Sequence, residues 1–219
     1  MKKQLLIMAA LCTIAFTSNA QTEKGKNLLG GSIKFLSTNL SQGTQSQTVK
    51  DYGISPSYGH FFASNLAIGI KVYTNISKNS VNYDVTNSTN GIITYSTATN
   101  NTKQTQYSFG PFIRYYLGIT ETFKFFAQFD ASIGFGKNHQ DINGVNNPID
   151  NKLTNYSTSL SPNLAFFPTK KWAVELGFDL LSYNRIDYNG TTLSPKITID
   201  NFNFGFNSFA PRVGVNYHF

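Results

Sequence analysis

Apolar and polar positions alternate with a period of two through most of this chain, the pattern of half-buried strands rather than helices. The first run sets Leu29, Gly31, Ile33 and Phe35 against Gly30, Ser32 and Lys34. The second sets Tyr52, Ile54, Pro56 and Tyr58 against Gly53, Ser55, Ser57 and Gly59, and the third sets Leu66, Ile68, Ile70 and Val72 against Ala67, Gly69, Lys71 and Tyr73. A fourth strand shows Tyr107, Phe109, Pro111, Ile113 and Tyr115 on one face, and a fifth shows Phe125, Ala127, Phe129, Ala131, Ile133 and Phe135. Leu160, Pro162, Leu164 and Phe166 define a sixth; Trp172, Val174, Leu176, Phe178 and Leu180 alternate with Ala173, Glu175, Gly177, Asp179 and Leu181 in a seventh. The eighth ends the chain at Arg212-Val213-Gly214-Val215-Asn216-Tyr217-His218-Phe219.

Short connections near residues 62–65, 118–122 and 168–171 alternate with long polar ones at 39–50, from 75 to about 105, at 137–154 and from 184 onward. Short links at one end and long links at the other, joining an even number of strands, predict an all-β, eight-stranded, antiparallel, up-and-down transmembrane β-barrel with short periplasmic turns and long external loops. Apolar bands of about 9 to 11 residues suit tilted strands crossing a bilayer. A soluble barrel or sandwich would bury its aromatics and show charge outside. Here the minor face is Gly, Ser and Ala with a few charges, so the aromatic face is read as lipid-facing.

Each even strand carries a proline on that face: Pro56, Pro111, Pro162 and Pro211. Proline cannot donate to a ladder, so four equivalent prolines predict a bulge or bend at one level of the barrel. Within the long links, Val81, Tyr83 and Val85 precede Asn90-Gly91, and Ile186 and Tyr188 precede Asn189-Gly190. Asn-Gly between alternating residues signals a hairpin, the other reading being a mobile Asn/Ser/Thr-rich loop. Phe202, Phe204 and Phe206 are even-numbered while the apolar positions from Phe209 onward are odd, which places a register change near Asn207 and Ser208.

At the other end, Lys2 and Lys3 precede an apolar run over residues 5–16 and the small residues Ser18-Asn19-Ala20. This reads as a cleaved signal peptide over 1–20, too short to cross a bilayer, followed by one barrel domain over 21–219. The mature chain has 199 residues (219 minus 20) and a formal charge of +5 (16 basic minus 11 acidic). The only cysteine, Cys12, falls in the leader, which leaves the exported chain without disulfide or thiolate chemistry. Aromatics are abundant and charged residues make up 13 %, yet mean hydropathy is −0.23, the average that alternating aromatic and small polar residues produce. The mild positive charge shows no clustered basic stripe, and no nucleic-acid partner is expected.

An eight-stranded barrel has an interior that side chains can fill. The inward face then confines Lys34, Lys71, Arg114 and Arg212 with Asp130, Glu175 and Asp179, beside Gln128, Phe112 and Tyr116. Charges at low dielectric must pair, so an ion-pair network plugging the lumen is expected, the other reading being a gated pore. His60, His139 and His218 do not converge, and the chain has no phosphate loop, no H-E-x-x-H and no cysteine ligand set, so neither enzyme activity nor a cofactor or metal is expected.

The terminal positions Arg212, Gly214, Tyr217 and Phe219 match the closing pattern of a known family, and the chain resembles the small eight-stranded outer-membrane barrels of Gram-negative bacteria. It is similar to outer membrane protein X and to the transmembrane domain of outer membrane protein A. The resemblance implies a place in the cell outer membrane and recognition of the terminal segment by the barrel assembly machinery; the chain departs from outer membrane protein A in lacking a peptidoglycan-binding domain after the barrel, so a wall-tethering role is not expected. It leaves a structural or adhesion-like surface role with an extracellular or envelope protein partner as the expectation. The alternative is an accessory barrel of a secretion or transport machine, or a narrow pore.

Overall fold

The computed structural model describes residues 22–89, 92–142, 149–189, 196–205 and 212–219. The leader expected at 1–20, Asn90 with Gly91, Gly190, Pro211 and the register change expected near Asn207 and Ser208 lie outside the described residues.

Strands β1 (Asn27–Gln42), β2 (Gln45–Ala63), β3 (Leu66–Thr89), β4 (Ile92–Gly118), β5 (Phe123–Ile142) and β6 (Ile149–Phe166) follow one another, each antiparallel to the last. Four shorter segments complete the sheet: β7 (Trp172–Gly177), β8 (Leu181–Tyr188), β9 (Ile197–Phe204) and β10 (Arg212–His218). β7 and β8 both run along β6, and β10 pairs with β7 on one side and β1 on the other. The ten segments therefore make eight staves, and the β1–β10 pairing closes the ring. Over residues 28–33 of β1, closure removes the sheet edges that lipid cannot satisfy.

Alternation sorts the side chains as lipid requires. Along β4, Tyr107, Phe109, Ile113, Tyr115 and Leu117 are exposed while Ser108, Phe112, Arg114 and Tyr116 are buried. The exposed band over residues 107–117 of β4 and 125–135 of β5 is the length a tilted strand needs to cross the apolar core.

The long polar links are mostly strand. β1 and β2 stay paired to Gln42↔Gln45, leaving Gly43 and Thr44 as a tight turn with Gly43 at φ 60, a conformation that glycine adopts without strain. β3 and β4 remain paired to Thr89↔Ile92, so this link is a hairpin rather than a loop. β5 and β6 pair to Gln140↔Ile149, and β8 and β9 to Tyr188↔Ile197.

The prolines act on the ladder in two ways. Beside Pro56 the β2–β3 pairing lapses between Ile54↔Thr74 and Ser57↔Lys71, and beside Pro111 the β4–β5 pairing lapses between Phe109↔Ile133 and Phe112↔Asp130. No residue is gained at either place, because the missing N–H costs one bond without displacing the chain. The expected bulge is therefore absent at these two positions. At Pro162 a bulge does form, but on the partner stave, where residues 178–180 face residues 161–162 between Asn163↔Gly177 and Leu160↔Leu181. The extra residue reverses parity: Trp172, Val174 and Leu176 face out below it, whereas Leu181, opposite outward Leu160, and Tyr183 face out above it. This corrects the unbroken alternation expected through Leu180, with Leu181 inward. In the last stave, Phe202 and Phe204 face out on β9 while Val213 and Val215 face out on β10, so parity changes between Phe204 and Arg212.

Candidate functional site

The barrel interior is filled in layers, beginning at the short turns. Thr22, just before β1, is buried under the barrel: its hydroxyl donates to Asn65 Oδ1 (2.5 Å), its carbonyl accepts from Asn65 N (2.6 Å), and Lys124 Nζ donates to its Oγ1 (2.7 Å). Asn65 holds φ 65 in the two-residue β2–β3 turn, a conformation that asparagine tolerates. The segment 22–26 is strapped to β2 by Gly25 N donating to Phe61 O (2.7 Å) and Phe61 N to Lys26 O (2.8 Å).

Above this strap lies an apolar layer of Leu28, Phe61, Phe112, Tyr116, Phe126 and Phe167, all fully buried. His218 sits against Phe61 (5.8 Å between ring centroids) and edge-on to Phe167 (5.2 Å). The Phe112 ring lies over the inward face of the two neighbouring strands β3 and β2; a Cβ at Gly69 would come within 2.4 Å of it and one at Gly59 within 3.1 Å. The small residues of the inward face thus make room for large rings from neighbouring staves.

The middle layer is ionic. Arg114 Nη1 lies 3.0 and 3.2 Å from the two carboxylate oxygens of Glu175 and donates to the Tyr116 hydroxyl (3.2 Å). Its Nε donates to Gln128, whose Nε2 in turn donates to both oxygens of Asp130 (2.8 and 2.9 Å). The guanidinium is sandwiched between the Phe112 and Phe126 rings, 5.0 and 4.9 Å from their centroids, so its faces meet aromatic quadrupoles while its edges meet acceptors. Lys71 pairs with Asp130 (2.5 Å), and Arg212 with Asp179 (3.0 Å) and Ser161 Oγ (2.8 Å). Six of the seven luminal charges read from the sequence thus fall into three pairs, of which Gln128 joins two into one chain from Glu175 to Lys71, while Arg212 and Asp179 form a separate pair. Lys34 borders the same space but has no carboxylate within ion-pair distance among the described residues. Glu175 and Asp179 serve different arginines at different levels, which fits charge balance and not a carboxylate pair for acid–base work.

Free space shrinks downward through these layers. A vestibule of about 200 Å³ is lined by Lys34, Asp179, Arg212 and a group of serines, and only about 30 Å³ remains around Arg114, Gln128 and Glu175 beneath it. That space holds about one water.

The other residues singled out from sequence sit elsewhere. Pro56 and Pro111 are exposed and Pro162 half-buried on the outer face. Arg212 points into the lumen and Gly214 is buried against β1, where the backbone oxygen of Gly31 lies 3.0 Å from where a Cβ would sit. Tyr217 and Phe219 stack at the turn-side rim (5.7 Å), with Trp172 beside Tyr217 (5.0 Å). Phe219 closes the ring through its backbone: Asn27 N donates to Phe219 O (2.7 Å) and Phe219 N to Asn27 O (3.0 Å). His60 faces out, its Nδ1 2.9 Å from Asn27 Oδ1, and no cluster of three potential metal ligands occurs among the described residues. The Thr22–Asn65–Lys124 strap was not read from the sequence. Asn65 in a two-residue turn was its one local signal.

The family model described as "Outer membrane protein beta-barrel domain" matches residues 6–219. No curated protein gives a significant match. Among solved structures the chain is similar to the attachment invasion locus protein Ail of Yersinia pestis, at 12 % identity over 90 % of this chain and 99 % of that one, with a TM-score of 0.36. Ail has also been solved with the heparin analogue sucrose octasulfate, and there the similarity is 11 % identity and a TM-score of 0.33 over 90 % and 99 % of the two chains. The translocator domain of the autotransporter NalP from Neisseria meningitidis is similar at 13 % identity over 100 % of this chain and 95 % of that one, with a TM-score of 0.45.

Proposed function

Because the chain belongs to the outer-membrane β-barrel domain family, we propose that its barrel is an anchor and that its external hairpins act as a surface-interaction device, with an adhesion-like role and no catalytic one. The observation that carries this reading is the height of the paired strands above the lipid-facing band. Outward apolar residues on β3 end at Ile76, yet the strand continues to Thr89. At a rise of roughly 3.3 Å per residue, residues 77–89 reach roughly 40 Å further along the strand. That length lies beyond what a strand needs to span the bilayer.

The hairpins also present binding features. Tyr95 on β4 is 78 % exposed, and Phe202 and Phe204 on β9 are 66 % and 67 % exposed. Among the described residues β9 pairs only with β8, so its second edge over residues 197–203 is open to an incoming strand. Strand addition takes affinity from such an edge and specificity from the side chains flanking it. The filled lumen supports the same reading, since it leaves the exterior as the working surface.

On this proposal the chain is exported with a cleaved leader and inserted by the barrel assembly machinery, which reads Arg212, Gly214, Tyr217 and Phe219. The testing experiment uses cells displaying the full barrel and two register-preserving truncations, one deleting residues 80–101 and one deleting residues 186–199, each closed by Asn-Gly. Expected is the loss of cell–cell aggregation and of attachment to protein-coated surfaces in one or both truncations, at unchanged barrel levels. Attachment unaffected by both deletions would overturn the adhesive reading in favour of an accessory barrel that docks through its outer face or its turns.

A further inference from the structure

Strand register assembles a basic band that no single stretch of sequence contains. Lys50 on β2 stands directly opposite Lys78 on β3, Lys78 opposite Lys103 on β4, and Lys103 opposite His139 on β5. One step lower, Lys137 on β5 stands opposite Lys152 on β6. Five consecutive staves each contribute one exposed lysine, all on the outer face. Like charges directly opposite on a sheet oppose pairing, and the Lys50–Lys78–Lys103 row together with the Lys137–Lys152 pair calls for an external counter-charge.

Elsewhere on the external sheet the chain supplies its own. Arg185 and Lys196 on the β8–β9 side share Asp187 at 3.7 and 3.1 Å. None of the five lysines has a carboxylate within ion-pair distance among the described residues, and Asp141 at the rim of the band is the one acidic side chain lining its hollows there. The band is also concave. A hollow of about 380 Å³ lies over Lys50, Lys78 and Lys103, and one of about 840 Å³ over Lys103, Lys137 and Lys152. The floor of the larger hollow includes Tyr107 and Phe135, which belong to the lipid-facing surface.

We propose that this band is a binding site for a phosphate-bearing glycolipid of the outer leaflet, with phosphates bridged by lysines of adjacent staves and acyl chains lying on the aromatic belt below. The level decides for a lipid over a soluble anion. Each lysine stands two to four residues above an outward apolar side chain of its own strand, as Lys50 above Tyr52, Lys103 above Tyr107 and Lys152 above Tyr156, which is roughly 7–13 Å along the strand. Basic groups at that height sit in the headgroup layer, where each adds to attraction for anionic lipid.

The test is native mass spectrometry of the full barrel released from nanodiscs containing phosphatidylcholine and diphosphoryl lipid A, with dephosphorylated lipid A, inorganic phosphate and a sulfated polysaccharide as separate arms. The variants are the fivefold lysine-to-glutamine change at 50, 78, 103, 137 and 152, and the double change Arg185→Gln with Lys196→Gln; heat-modifiable gel mobility checks that each is folded. Wild type and the double variant are expected to retain diphosphoryl lipid A equally, the fivefold variant at least about tenfold less, a change that the loss of one or two surface lysines already supplies. Neither dephosphorylated lipid A nor inorganic phosphate is expected to compete. Equal retention by the fivefold variant, equal loss in the double variant, or lysine-dependent capture of the polysaccharide in place of lipid A would overturn the proposal.

Discussion

Arg114 is the residue on which the lumen turns, because two aromatic faces, a carboxylate, an amide and a phenol all converge on it. Removing Glu175 while leaving Arg114 strands a buried cation, and the expected cost of Glu175→Ala is about 3–5 kcal/mol. Urea unfolding of the refolded barrel in lipid vesicles measures it; the double variant Arg114→Met with Glu175→Leu should recover most of the loss, since an apolar pair of similar volume carries no stranded charge. Packing gives a second expectation: Gly69→Val drives a side chain into the Phe112 ring and should destabilise by about 1–3 kcal/mol, read from the same transition. Which residues face the lumen was legible from parity except around the bulge at 178–180. Who pairs with whom was not, because Arg114 and Glu175 lie 61 positions apart and meet only across the closed ring.

At the scale of elements, period-two alternation located all eight staves, but it could not show where one gains a residue. The bulge at 178–180 is invisible in the sequence because Phe178, Asp179 and Leu180 continue the alternation of the strand before them. The lysine band escaped for a related reason: its members sit on five different strands, and only the β2–β6 registers bring them into one row. The β8–β9 hairpin is pinned by Asp187, which accepts from Thr198 Oγ1 (2.7 Å) and Lys196 Nζ (3.1 Å), and those bonds hold its carboxyl below the usual value of 3.8. A depressed folded-state pKa contributes stability that is fully present above the unfolded value and lost as pH falls through the folded one. Amide exchange in β9, corrected for intrinsic rates, should therefore accelerate as pH drops below about 3.8, and Asp187→Asn should show the faster exchange already at neutral pH. Exchange in β9 that is unchanged by the substitution would remove Asp187 from the account.

For the whole molecule, the proposed recognition of the terminal segment by the assembly machinery makes one contact serve both closure and biogenesis. Phe219 contributes two backbone bonds to Asn27 and a ring to the turn-side rim. Phe219→Ala keeps the bonds and removes the ring, so insertion in cells should fall severalfold while refolding yield in detergent stays near wild type; equal losses in both would make the ring a stability element only. The same closure defines what the lumen can do. Strap, aromatic layer and ion-pair chain stack in series, with about 30 Å³ free around Arg114, Gln128 and Glu175, which supports the proposed reading in which the outside of the barrel and its hairpins do the work. Planar-bilayer recording on the refolded full chain tests this most directly. The account expects no ohmic conductance above the membrane baseline at neutral pH, and a stable, ohmic, nanosiemens channel would contradict it.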